Sequence, residues 1–165
     1  MMIEMGRHMG ATNIIVIQRS QRRLDLARKF NADHYFLSDK NVEEKVKEVT
    51  NGEGADVVMI TCASPDAQEQ ALLLARHRAR INFFGGLPSG ARNISIPSNL
   101  IHYQECMILG SHGSLPRHHR KALEVMEKEM VNPGEYITHR FPLEEIQEAF
   151  KAAESHEGLK VVVNP

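Results

Sequence analysis

Tryptophan is absent from this sequence, cysteine occurs only at Cys62 and Cys106, and aromatic residues make up 5% of the chain. Two cysteines so far apart exclude a disulfide framework and a zinc knuckle, and they suit a reducing, cytoplasmic compartment. Charge of neither sign dominates, the formal net charge being -1. There is thus no basic field for nucleic acid and no large acidic field. No apolar run approaches the ~20 residues of a membrane span, and Met1-Met2-Ile3-Glu4 does not open a signal-peptide core. Nucleic acid and membrane are therefore not expected as partners. Internal repeats, low-complexity tracts and closely spaced metal-ligand motifs are missing as well.

What is present is a soluble globular composition, 42% hydrophobic and 25% charged, over 165 residues. The chain alternates strand and helix signals. Ile14 to Ile17 is a β-branched run, followed by Ser20 as an N-cap and by Leu24, Ala27, Arg28 and Phe30 at helical spacing. His34 to Leu37 is the next strand, and Val42, Val46 and Val49 mark a helix that stops near Asn51-Gly52. Asp56 to Ile60 is a third strand. Ser64-Pro65-Asp66 opens a helix with a cap, a proline at the first position and an acid at the positive end of the dipole. Arg80 to Phe84 is a fourth strand, Gly85 to Pro97 the longest loop-like stretch, and Cys106 to Leu109 a fifth strand. Apolar strands alternating with helices imply a doubly wound, parallel α/β sheet covered on both faces.

After Gly110 the pattern changes. A helix is expected from about Arg117 to Met130, then a strand Ile137 to Phe141, a helix from about Leu143 to Ser155, and a strand Leu159 to Val163. The expected division is a nucleotide-binding unit over 1–111 and a separate α/β tail over 112–165.

Several segments carry a resemblance. They are Gly10-Ala11-Thr12, the run Thr50 to Val58 with Gly52 and Gly54, Phe83-Phe84-Gly85-Gly86, the run Ile137 to Glu145, and Gly158 to Val162. In sequence, order and spacing they resemble the zinc-dependent medium-chain dehydrogenases, nearest the sorbitol (polyol) and threonine dehydrogenase branch. The resemblance implies a Rossmann-like fold, a nicotinamide dinucleotide cofactor and oxidation of an alcohol. In complete family members a further domain supplies the catalytic zinc ligands, and nothing here matches it. The first Rossmann strand and its glycine-rich turn have no counterpart either. Gly6 and Gly10 do not form GxGxxG, and Met1 to Gly10 matches the helix that follows that turn. In the usual strand order 3-2-1-4-5-6 the missing strand is central. The gap is therefore expected to close, to borrow a strand, or to leave a marginal fragment.

The resemblance implies cofactor contacts at the carboxyl ends of the strands. Gln18 stands where NAD-using relatives usually carry an acid, and Arg19, Arg22 and Arg23 crowd the same helix start. One reading is a 2′-phosphate site, hence NADP. The other is a solvated basic helix face in an NAD-using protein. Thr61, Cys62 and Ala63 follow the third strand, Gly85 and Gly86 the fourth, and Ser111 the fifth. At the residues after the third and fourth strands the resemblance implies a backbone approach to cofactor, while Ser111 lies where relatives pass between their two domains and implies a contact there. A small buried thiol is the plainer reading of Cys62, and a turn that needs glycine is the plainer reading of Gly85-Gly86. His118 and His119, adjacent on a helix, point about 100° apart and suit a solvated helix start better than a metal. His139 is expected to be structural. No catalytic residue and no metal ligand is assigned.

Three functional readings remain. The first is a truncated NAD(P)-dependent alcohol or polyol dehydrogenase, inactive alone. The second is a non-catalytic nucleotide-binding or interaction module, and the third a gene fragment. A Rossmann methyltransferase is a remote alternative. Self-association through exposed strand edges and apolar surface is expected.

Overall fold

A computed structural model describes residues 1–165. In chain order the helices and strands are α1 (Met2–His8), β1 (Ile15–Gln18), α2 (Gln21–Ala27), β2 (His34–Leu37), α3 (Val42–Glu48), β3 (Ala55–Ile60), α4 (Pro65–Leu74), β4 (Ala75–Phe83), α5 (Ser98–Gln104), β5 (Met107–Gly110), α6 (Pro116–Glu127), β6 (Ile137–Pro142), α7 (Ile146–Glu154) and β7 (Lys160–Asn164). They form two compact units. One comprises Ile15–Leu24 and His34–Ser114; the other comprises Met1–Ile14, Asp25–Asp33 and Leu115–Pro165. The division near 114 lies three residues beyond the boundary drawn from the sequence, and two amino-terminal segments join the tail's unit.

In the first unit, β1 pairs in parallel with β2 from Ile15 opposite His34 to Gln18 opposite Leu37. A second sheet runs in the order β3-β4-β5, also parallel, with Ile60 opposite Phe83 and Phe83 opposite Gly110. The two sheets do not hydrogen-bond to each other. They share a core. Ile15, Ile17 and Phe36 pack against a buried cluster that includes Val42, Val46, Val58, Ile60, Leu72 and Ile81. The layers are thus doubly wound, as the alternating pattern implied, with β1 and β3 unpaired with each other. Of the three outcomes expected for that gap, closure did not occur.

Local causes are visible along this unit. Ser64 Oγ accepts from the Ala67 N–H at 3.4 Å, with Pro65 at the first helical position, so α4 starts where capping chemistry placed it. The fourth strand begins five residues earlier than the apolar run suggested. Ala75 and Ala79 are buried, but the intervening Arg76, His77 and Arg78 mask the pattern. Arg78 interrupts the strand with φ 60°, and its guanidinium is held by Glu105 at 2.7 Å. The helix α5 was not anticipated. It has seven residues, no side-chain cap and no buried residue, and only Leu100 and Ile101 touch the core.

The second unit is built on the tail. Strands β6 and β7 pair in parallel, from Ile137 opposite Lys160 to Pro142 opposite Asn164. The two most specific sequence segments are therefore partners in one sheet. Thr138 Oγ1 ties them, donating to the Lys160 carbonyl at 3.2 Å and accepting from the Leu159 N–H at 3.1 Å. His139 Nδ1 lies 3.0 Å from the same oxygen. A Cβ on Gly158 would stand 2.2 Å from that oxygen and 2.7 Å from His139 Nδ1, so any larger residue there must displace both side chains. The helix expected to reach Met130 ends at Glu127, since Glu129 turns left-handed with φ 54°. Arg7 pairs with Asp33 at 2.6 Å, and the same carboxylate accepts from the Ile14 N–H at 2.7 Å. Phe30 is buried and stacks on Tyr136, ring centroids 4.6 Å apart.

Candidate functional site

Parallel pairing brings the carboxyl ends of β3, β4 and β5 to one edge of the sheet. The register places Ile60, Phe83 and Gly110 side by side, so Thr61, Phe84 and Ser111 follow at neighbouring positions. The Gly85 N–H donates to the Ile60 carbonyl at 2.7 Å, and the Ser111 N–H donates to the Phe83 carbonyl at 3.4 Å. The Ser111 hydroxyl donates to Asn82 Oδ1 at 2.8 Å. Five of the residues proposed from sequence, Thr61, Cys62, Gly85, Gly86 and Ser111, therefore share this edge, with Ala63 continuing from Cys62. All but the half-buried Gly85 are exposed.

The two glycines separate on inspection. A Cβ on Gly85 would lie 2.6 Å from the carbonyl oxygen of Cys62 and 2.9 Å from its nitrogen. The chain's own backbone thus requires glycine at 85, whatever binds beside it. A Cβ on Gly86 would meet nothing within 4 Å. Cys62 is exposed, which corrects the reading of it as a small buried thiol. The cause is its place beyond the last strand residue, at the open edge. The buried thiol is Cys106, whose Sγ donates to the Arg76 carbonyl at 3.5 Å.

Sequence reasoning missed the residues that hold this edge. Gln68, on α4, is 5% exposed, and its Nε2 donates to the Gly85 carbonyl at 3.2 Å. The loop 85–97 is fastened to α4 by Arg92, which pairs with Glu69 at 2.7 Å and also with Asp66. Glu69 further accepts from the Ser95 N–H at 2.6 Å. The Arg92 guanidinium and then the Ser95 amide push the Glu69 carboxyl down to about 2. The only signal for Gln68 was a polar side chain on the apolar face that includes Ala71 and Leu72.

Gln18, Arg19 and Arg23 stand at the end of β1, in the other sheet of the same unit. Gln18 is half-buried, Arg19 exposed and Arg23 half-buried on α2. Ser20 Oγ accepts from the Arg23 N–H at 3.4 Å, at the start of that helix. His118 is exposed, and its Nδ1 accepts from the Leu115 N–H at 3.1 Å, capping α6. No three metal-ligating side chains lie close enough together to hold a metal ion, so the residues present do not fit a zinc site. No helix is long and apolar enough to cross a membrane.

Comparison with known proteins agrees with this geometry. Residues 1–128 match the family model described as zinc-binding dehydrogenase. L-threonine 3-dehydrogenase of Yersinia pestis (strain Pestoides F) is 30% identical over 165 residues, which is 96% of this chain and 46% of that protein. The solved alcohol dehydrogenase of Thermotoga maritima aligns with TM-score 0.87 and 25% identity, over 99% of this chain and 46% of that one. A zinc-binding dehydrogenase of Sinorhizobium meliloti 1021, solved bound to NADP, aligns with TM-score 0.84 and 24% identity, over 99% of this chain and 48% of that one. The chain thus spans about half the length of the curated relatives it matches. With its interrupted parallel sheet and its paired tail strands, the chain belongs to the zinc-binding dehydrogenase family of oxidoreductases.

Proposed function

We propose that residues 1–165 are the cofactor-binding portion of a nicotinamide-dependent alcohol or polyol dehydrogenase and do not oxidise alcohols unaided. The observation that carries this reading is the aligned carboxyl edge of β3, β4 and β5, where Gly86 faces open space beside exposed Thr61, Cys62, Ala63 and Ser111. Such edges are where nucleotides lie in open parallel sheets. Gly85, held by Gln68, and the fastened 85–97 loop would shape the nicotinamide end, and Ser111 would flank it. Gln18, Arg19 and Arg23 would hold the adenosine end. A neutral Gln18 does not repel a 2′-phosphate, and Arg19 and Arg23 can donate charge-assisted hydrogen bonds to it, so NADP is the preferred cofactor. When bound, the nicotinamide would accept the hydride of a secondary alcohol. No step runs through zinc, because no ligand set is present. The same fact favours the second reading, a non-catalytic nucleotide-binding module. Self-association belongs to both readings. The outer strand β5 carries Met107 51% exposed and Leu109 48% exposed, an edge suited to pairing with another copy.

The test is a titration of the chain with NADPH and NADH, repeated with Gln18→Asp. The expected result is weak, salt-sensitive binding that favours NADPH in the parent and moves toward NADH in the variant. Equal binding of both nucleotides, unmoved by the substitution, would show that the arginines are a solvated helix face.

A further inference from the structure

The helix α4 touches both rims of the candidate cofactor edge. It follows directly from Thr61 to Ala63 at the end of β3, with Ser64 as its cap. From its first two turns, three side chains reach the loop 85–97 at the end of β4. Gln68 holds the near end of that loop, donating to the Gly85 carbonyl at 3.2 Å. Glu69 and Asp66 hold the far end through Arg92. The Arg92 guanidinium donates from Nη1 to Glu69 Oε1 at 2.7 Å and from Nη2 to Glu69 Oε2 at 2.9 Å, and Nη2 also reaches Asp66. Nη1 further donates to the Asn93 carbonyl at 3.2 Å, and Glu69 Oε1 accepts from the Ser95 N–H at 2.6 Å. This is a bidentate pair inside a network, unlike an isolated surface ion pair. Between the two fastenings, residues 86–91 form a tip that closes one turn, the Ala91 N–H donating to the Pro88 carbonyl at 3.1 Å. Ile96 packs on the core without help from Arg92, so the clasp does not keep the loop on the domain. What it fixes is where the tip lies.

We propose that Arg92 is a positioning residue for the nicotinamide half of the dinucleotide: by clasping loop 85–97 to α4 it orders the tip before the cofactor arrives. The proposal rests on the nucleotide reading of this edge. Arg92 is not itself a phosphate-binding cation, because two carboxylates and the Asn93 carbonyl already engage it. It acts through population. A site whose competent form is only partly populated binds with affinity reduced by that fraction. With the tip clasped, the competent form is already in place. Unclasped, a tip containing Gly86 and Gly90 must be ordered by the cofactor, and that ordering is subtracted from binding. The adenosine end is assigned to Gln18, Arg19 and Arg23, in the other sheet, and does not meet the tip. The effect must therefore fall on the whole dinucleotide and spare its adenosine fragment. Lysine can replace arginine only in part, since a point charge does not span both oxygens of Glu69 as the planar fork does.

The experiment titrates the chain with NADPH and, separately, with adenosine 2′,5′-bisphosphate, in the parent, Arg92→Gln and Arg92→Lys. Backbone order parameters of Leu87, Ser89, Gly90 and Ala91 are measured by NMR without ligand. In the parent, NADPH should bind more tightly than the bisphosphate, and the tip should be rigid, with order parameters near 0.85. Arg92→Gln should weaken NADPH about tenfold, leave the bisphosphate unchanged, and lower the tip's order parameters below about 0.6. Arg92→Lys should fall between the two. Should Arg92→Gln not fold, Glu69→Gln removes the same charge pair from the helix side and should give the same split. A tip equally ordered in parent and variant, or equal weakening of both ligands, would overturn the proposal. NADPH bound no more tightly than the bisphosphate by the parent would also overturn it, while leaving the adenosine end of the nucleotide reading standing. Binding of neither ligand at millimolar concentration would overturn the nucleotide reading, and the proposal with it.

Discussion

Gly85→Ala and Gly86→Ala look equivalent in sequence and should behave very differently. At Gly85 the added methyl would sit 2.6, 2.8 and 2.9 Å from the oxygen, carbon and nitrogen of Cys62, all backbone atoms. Relief requires the turn after β3 to move away from the turn after β4. That movement strains the 2.7 Å bond from the Gly85 N–H to Ile60 and the 3.2 Å bond from Gln68 to the Gly85 carbonyl. Overpacking of this kind costs about 1–3 kcal/mol. Leaving the buried Gln68 amide without a partner costs about 1–3 kcal/mol. The two effects overlap, so the expected loss is about 2–4 kcal/mol, a large share of the ~5–15 kcal/mol of a typical domain. Gly86→Ala, with nothing within 4 Å, should stay within about 0.5 kcal/mol of the parent. The assay is urea unfolding followed by far-UV circular dichroism, with slopes compared to confirm a common unfolded state. Equal stability of the two variants would refute the reasoning. A Gly86→Ala loss as large as that of Gly85→Ala would do the same.

Three further outcomes are expected. The stability that the Arg92–Glu69 pair contributes should be complete above the ordinary carboxylate value of 4.5 and fade as pH falls toward about 2. Exchange at the Ser95 amide across that window checks this, and Glu69→Gln should remove the dependence. At Arg78, which has φ 60° and an exposed partner in Glu105, Arg78→Gly should stay within about 1 kcal/mol of the parent. Arg78→Ala, which keeps the left-handed conformation and loses the ion pair, should melt below Arg78→Gly; the reverse order would contradict the backbone argument. In native protein, maleimide should label the exposed Cys62 and spare the buried Cys106, as read by mass spectrometry of tryptic peptides. Equal labelling would show that β4 and β5 do not shield Cys106.

Elements with a local cause were legible in the sequence. Ser64-Pro65-Asp66 started α4, Asn31 ended the helical run in a left-handed conformation at φ 50°, and His34 to Leu37 formed β2. Elements set by tertiary context were less so. The early start of β4 depends on burying Ala75 and Ala79 between charged neighbours, and α5 depends on two side chains reaching the core. The candidate site divides the same way. Strand ends could be read from apolar runs, so the residues after them could be named. That Gly85 answers to Cys62 and that Gln68 holds Gly85 arise from long-range register, which no local pattern encodes.

The most direct measurement is a backbone-amide NMR map of the chain with and without NADPH, read residue by residue. Perturbations should concentrate at Gln18 to Arg23, Thr61 to Ala63, Phe84 to Gly86 and Ser111. The amino end of the sheet around Arg76 and Glu105 should stay unchanged. Perturbations centred on Arg76, His77 and Arg78, or none at all at millimolar nucleotide, would contradict that placement.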